Sequence, residues 1–173
     1  MNAPAMDKDA LVALQGPLKE RYRADAESAV ITLEATGRLG EGVTCSLTTG
    51  RAMAAAGLHP MAGGDGSQLC SGDLLLEALV ACAGVTLKAV ATSLGLDVRG
   101  GTVRAEGDLD FRGTLAVDKE AAVGFTAIRL AFEVETDASA EQLATLEKLT
   151  ERYCVVWQSL RHPPEGTVSI TAA

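Results

Sequence analysis

The chain has 173 residues, 47% of them hydrophobic, with a mean hydropathy of +0.17; this fits one globular unit with a substantial core and argues against disorder. No uninterrupted apolar run reaches the ~20 residues a membrane span needs, so a soluble protein without a membrane partner is expected. The formal net charge of -8 comes from dispersed acids, with no Lys/Arg cluster to match a phosphate backbone, which excludes nucleic acid and leaves small molecules or proteins as partners.

The N-terminus mixes charged and apolar residues from the start and lacks the basic-then-apolar design of a signal peptide, so a cytoplasmic location is expected. In that compartment Cys45, Cys70, Cys82 and Cys154 rest reduced, and any pairing between them is transient and catalytic. Leu11, Leu14 and Leu18 predict a short surface helix over 8–22, interrupted near Gly16-Pro17, within an N-terminal extension covering 1–27. A single domain then fills 28–173.

Period-two alternation from Ser28, with Val30, Thr32 and Glu34 on one side and Ile31, Leu33 and Ala35 on the other, predicts a strand that turns at Gly37 and Gly40. A second strand over 43–49 closes a hairpin and puts Arg38 in its turn. Residues 56–70 read as a long glycine-rich loop able to shape a site mouth. Ser71 then caps a helix with Asp73 in its first turn. Its predicted apolar stripe runs through Leu74, Leu75, Ala78, Leu79, Cys82, Val85, Thr86 and Ala89, with Asp73, Glu77, Ala81, Gly84 and Lys88 opposite.

Alternation at Val103, Ala105, Gly107, Leu109 and Phe111 predicts a strand, followed by a loop through Asp118 and Lys119 and a further strand over 125–136. A long helix is predicted from Ser139, whose partner Gln142 completes a capping-box pattern, to about Leu160, before Pro163-Pro164. "GTVSITA" reads as a closing strand. The order is not the alternation of a doubly wound sheet, so the expected class is α+β with a mainly antiparallel sheet and two long central helices.

The chemistry of the chain concentrates on its cysteines. Cys82 lies too far into its helix to feel the N-terminal dipole, so a reactive thiolate there needs a cation from elsewhere, and Arg38 on its glycine-flanked turn is the expected donor. Without one, Cys82 is a small buried hydrophobe. Cys154 shares a helical face with Glu147, Thr150, Glu151, Trp157 and Gln158, beside a stripe of Leu143, Leu146, Leu149, Tyr153, Val156 and Leu160. That edge position suits a resolving thiol and equally an idle boundary cysteine. Cys70, just before the helix cap, is a further reactive thiol or an idle loop cysteine. His59 could donate to a bound oxyanion, but neither it nor His162 has ligand spacing, so no metal and no cofactor is expected, and the glycines of "MAGGDGS" read as loop rather than nucleotide fingerprint.

Four segments, "SGDLLLEALVACAGVTL", "ATGRLGEGVTC", "EGDLDFRGTLAVDKEAAVGFTAIRLAFEV" and "LEKLTERYCVVWQSL", together resemble the OsmC/Ohr family of osmotically induced and organic-hydroperoxide-resistance proteins, over roughly residues 28–171. The resemblance implies an OsmC-like fold in an intertwined homodimer. It also implies a thiol peroxidase that reduces organic, fatty-acid-type hydroperoxides and is regenerated by a dithiol such as a lipoyl protein or a thioredoxin-like protein. In that scheme Cys82 attacks the peroxide, Cys154 resolves the sulfenic acid, and Arg38 activates the thiolate. The family's glutamate, ten residues before the reactive cysteine, is replaced here by Gly72. Asp73 is the first substitute for its role and Glu151 the second. The family's "CPVH" is "CVVW" here. A catalytically silent protein that binds an apolar small molecule in the same pocket is the alternative these departures leave.

Overall fold

The computed structural model describes residues 36–39, 44–48, 53–116 and 118–172, with isolated positions at 7–10, 12, 13, 16 and 24. The strand predicted over 28–35 lies outside the described residues, and of the predicted N-terminal helix the described positions 8–10, 12, 13 and 16 are helical.

The first sheet has four strands, β1 (Thr36–Leu39), β2 (Thr44–Thr48), β3 (Met53–Gly57) and β4 (Leu69–Cys70), in that spatial order. β1–β2 and β2–β3 are antiparallel and β3–β4 is parallel. Arg38 is not in a turn, as the glycines on either side of it suggested. It lies inside β1 opposite Ser46, because the ladder runs straight through Gly37. β3 and β4 occupy the ends of the segment read as loop; two residues of β4 are too few to show a period.

Helix α1 (Ser71–Leu94) follows directly, and Cys70 rather than Ser71 is its N-cap residue, without a side-chain cap bond. It ends at Gly95, whose φ of 70° lets the chain turn left-handed while its N–H meets the Ala91 and Thr92 carbonyls. The second sheet pairs β5 (Val98–Leu109) with β6 (Phe125–Thr136) antiparallel, from Val98 opposite Thr136 to Leu109 opposite Phe125. Phe111, expected in the strand, begins the short helix α2 (Phe111–Thr114), whose start Asp110 caps by accepting from the Arg112 N–H.

The predicted final helix is two helices, α3 (Ala140–Tyr153) and α4 (Val155–Arg161), with Cys154 between them at φ -73° and ψ 106°. The capping box at the start of α3 is present: Ser139 Oγ accepts from the Gln142 N–H at 3.3 Å, and Gln142 Oε1 accepts from the Ser139 N–H at 2.8 Å. The C-terminal "GTVSITA" forms no strand in the single chain and leaves Val168 94% and Ile170 95% exposed.

The core lies where one face of the β5–β6 sheet and the α3–α4 pair meet α1. Leu87, Val90, Ala91, Val98 and Leu146 form one cluster, and Leu79, Ala83 and Cys154 form another. Full burial of a leucine such as Leu79 or Leu146 stabilises by about 1.5–3 kcal/mol. The outward face of the sheet carries ion pairs such as Arg129–Asp108 at 2.6 Å, which are solvent-exposed and add little.

The buried stripe of α1 is rotated from the predicted one. Leu75 and Ala78 are exposed and Val85 is 73% exposed, while Ala83, Leu87 and Val90 are buried. The physical reason is that α1 is apolar nearly all round, so composition does not choose a face. By length and composition it could cross a membrane, yet its buried side packs against β5, α3 and α4 as a core helix. At Gly84 a Cβ would stand 3.5 Å from Val103 Cγ2, an ordinary contact distance, so β5 lies within van der Waals reach of α1 there.

Candidate functional site

Cys82 sits near the middle of α1, and Cys154 at the break between α3 and α4; the two pack into one cluster with Leu79 and Ala83. Cys82 is half-buried. Cys154 is 0% exposed and not at the edge of a helical face, which corrects the expectation for it. The correction follows from the break: with extended backbone at residue 154, the helical wheel that put Cys154 on a boundary no longer applies.

The break also creates something that a continuous helix would lack. A new helix start leaves its first N–H groups without intrahelical acceptors, and those of Val155, Val156 and Trp157 open beside the two sulfurs. Burial pushes the Cys82 thiol up, but the Val156 N–H, the Cys154 thiol, the Val155 N–H and the Thr86 hydroxyl together outweigh it and hold its pKa below the ordinary cysteine value. At Cys154 burial also pushes the pKa up. There the Trp157 N–H works against the rise, the contact with Cys82 and its charge adds to it, and the net direction is upward. When the pair carries a single negative charge, that charge therefore rests on Cys82, with the Cys154 thiol donating to it.

The predicted site residues at the start of α1 stand apart from the sulfurs. Arg38 is placed by its backbone in β1, and its side chain is outside what the structure describes. Asp73 is exposed in the first turn of α1, nine residues before Cys82 and so about 13 Å away along the helix axis. Gly72, where the resemblance expects a glutamate, faces Phe125: a Cβ there would stand 3.5 Å from the ring and 3.6 Å from Cys70 Sγ, ordinary contact distances. Cys70 lies at the far end of α1 and is not brought to the pair.

Glu151 is already engaged. Its carboxylate accepts from the Arg161 guanidinium and from Trp157 Nε1 at 3.4 Å, and its backbone carbonyl accepts from Gln158 Nε2 at 2.7 Å. His59 Nδ1 accepts from the Met61 N–H at 3.0 Å, and its ring stacks on Phe111 at 5.1 Å, which makes it a loop-holding residue. His162 ends α4 at the exposed surface. Among the described residues no group of three or more His, Cys, Asp or Glu could hold a metal ion. The N–H groups of α4 were invisible to sequence reasoning because neither glycine nor proline marks the break; Thr86, one turn after Cys82, could have been found from i to i+4 spacing.

An apolar helix and a broken helix that bring two cysteines together, backed by a long antiparallel strand pair, define an α+β protein with a dithiol at its core. The chain belongs to the OsmC-like protein family, whose model matches residues 64–169. Among solved structures it is similar to an OsmC-like protein from Mycoplasma pneumoniae, with a TM-score of 0.65 and 14% identity over 77% of this chain and 89% of that one. It is also similar to an organic hydroperoxide resistance protein OsmC from Legionella pneumophila, with a TM-score of 0.60 and 16% identity over 77% of this chain and 91% of that one. At such identities the likeness establishes the fold. No curated protein sequence matches the chain.

Proposed function

We propose that the protein is a cysteine-based peroxidase for organic hydroperoxides of the fatty-acid type. The single observation that carries this reading is the Cys82–Cys154 contact, in which one thiol is held low and its neighbour high. The Cys82 thiolate attacks the distal peroxide oxygen; the O–O bond breaks, the alkoxide leaves and takes a proton from water to become the alcohol, and Cys82 becomes a sulfenic acid. The Cys154 thiol then displaces hydroxide from that sulfur, which leaves with a proton as water, and a Cys82–Cys154 disulfide forms. An external dithiol, on a lipoyl or thioredoxin-like protein, reduces the bond and is itself oxidised. Membership of a family that includes organic hydroperoxide resistance proteins supports the reading.

Arg38 is proposed to reach the thiolate and orient the peroxide, with Asp73 holding that arginine in place of the glutamate absent at Gly72. A homodimer is proposed as the working form in the cytoplasm. It would cover the exposed apolar side of α1 around Leu75 and Val85 and would bring an N-terminal sheet to each thiol pair. Residues 28–173 would form the dimerising domain, with 1–27 as an appended helical segment.

A steady-state assay with cumene hydroperoxide and dihydrolipoamide tests the function. Turnover that needs both thiols is expected; no turnover, with the cysteines unoxidised, points instead to a silent protein that binds an apolar molecule, the reading favoured by the loss of the family's glutamate at Gly72.

A further inference from the structure

The break at Cys154 is not explained by the residues at it. The sequence across it, "RYCVVWQ", contains no glycine or proline, and a chain of these residues can continue as a helix. Something must hold the backbone at Cys154 out of the helical conformation, and the described contacts point to one residue. Glu151 lies in the last turn of α3, and every partner described for it lies on α4: Trp157, Gln158 and Arg161. The three are spread along most of that helix, so together they fix both its direction and its rotation. Trp157 and Val156 pack in turn on the cluster that contains both cysteines.

We propose that Glu151 is a positioning residue: by tying the end of α3 to Trp157 and Arg161 of α4, it maintains the break and keeps Val155 and Val156 against the Cys82 sulfur. It touches neither sulfur nor substrate. Its work is done through α4, a different task from orienting Arg38, and the proposal rests on the reading of Cys82 as the attacking thiol.

Two substitutions separate this role from a direct charge effect. A carboxylate acting simply as a nearby negative charge disfavours the thiolate, so Glu151→Gln would then speed alkylation of Cys82, while Arg161→Gln would slow it. A tie between the helices gives the same sign for both: each substitution lets α4 shift, removes N–H groups from the sulfur, and lowers the thiolate fraction. The measurement is the rate of Cys82 alkylation by iodoacetamide at pH 7 in the full-length protein, with circular dichroism to verify the fold. Both variants are expected to react about three- to tenfold more slowly, since one unit of pKa is a factor of ten in thiolate. Fluorescence of Trp157, the only tryptophan, is expected to shift in both, because its partner or its packing changes.

Opposite signs, or wild-type rates in both, would overturn the proposal; if Glu151→Gln does not fold, Arg161→Gln alone still decides between unchanged and slowed alkylation when Trp157 reports a moved α4. Alkylation needs no peroxidase turnover. A slowed Cys82 in a protein without hydroperoxide activity would therefore leave the tie standing and remove only the peroxidase.

Discussion

Toward its C-terminal end α1 packs Leu87, Val90 and Ala91 against Val98 and Leu146, a contact made of hydrocarbon alone, whereas about two turns earlier Leu79 and Ala83 pack against the sulfur of Cys154. The first region rests on one continuous helix of α3 and asks nothing of its backbone beyond standard geometry. The second lies over the break, where helix α3 stops and loose N–H groups are turned toward two sulfurs. The same pair of elements thus provides a stable clamp at one end and a polarised thiol pair at the other. Stability and reactivity should accordingly separate under mutation.

The largest expected effect is at the thiol end. Cys82→Ser should consume no hydroperoxide, while Cys154→Ser should consume about one equivalent and stop at a sulfenic acid that reacts with dimedone and, with excess peroxide, advances to the sulfinic acid. Mass spectrometry of dimedone-treated protein reads both outcomes. Equal consumption by the two variants would erase the distinction between attacking and resolving thiols.

At the clamp end, Leu146→Ala should destabilise the fold by about 2–5 kcal/mol in urea unfolding, as large-to-small changes at fully buried sites do. The folded fraction should still alkylate at Cys82 with a pH midpoint below that of an ordinary cysteine. The sign follows from the lowered pKa of Cys82: the thiolate accumulates at lower pH than in an isolated cysteine, while Cys154, raised by burial, should lag behind it. A midpoint that moves up with Leu146→Ala would mean that the two ends are not separable.

A smaller effect, in rate rather than stability, is expected from Arg38→Ala. A charge-assisted contact to a thiolate is worth roughly 1.5–3 kcal/mol, so oxidation of Cys82 by a hydroperoxide should slow by about tenfold or more while the fold remains. Stopped-flow Trp157 fluorescence can follow it. A wild-type rate would hand the role to another cation such as Arg51, itself outside the described residues.

The smallest effect concerns Thr150, 1% exposed between the two regions, whose hydroxyl has no described hydrogen-bond partner. A buried unsatisfied group costs about 1–3 kcal/mol, so Thr150→Val, close in shape, should raise Tm by a few degrees or leave it unchanged. A clear fall in Tm would show that the hydroxyl is satisfied in solution.

Much of this architecture was legible in the sequence, for reasons that also explain the misses. Strand β6 and the middle of β5 were legible because each buries one face, which imposes alternation, whereas the start of β5 at Val98 and its end before Phe111 were not; Ser139 with Gln142 marked the start of α3 because a capping box is local. The buried side of α1 was not legible, since an almost uniformly apolar helix carries no period to read. The place of Arg38 was missed because Gly37 and Gly40 signal a turn only if the ladder stops there, and it continues to Leu39. The thiol pair itself was visible as two cysteines on two helices. Part of what lowers the Cys82 pKa was not: beside the Cys154 thiol and the Thr86 hydroxyl, it comes from backbone groups freed by a break that is held from a distance, by Glu151 reaching Arg161, and no residue at the break announces it.

Whether Cys82 and Cys154 act as one redox pair is read by intact-mass spectrometry with peptide mapping after one equivalent of cumene hydroperoxide. A loss of two hydrogens and a single Cys82–Cys154 disulfide that dihydrolipoamide reverses are expected. A bond that involves Cys70 instead, or a mass unchanged by the hydroperoxide, would contradict that pairing.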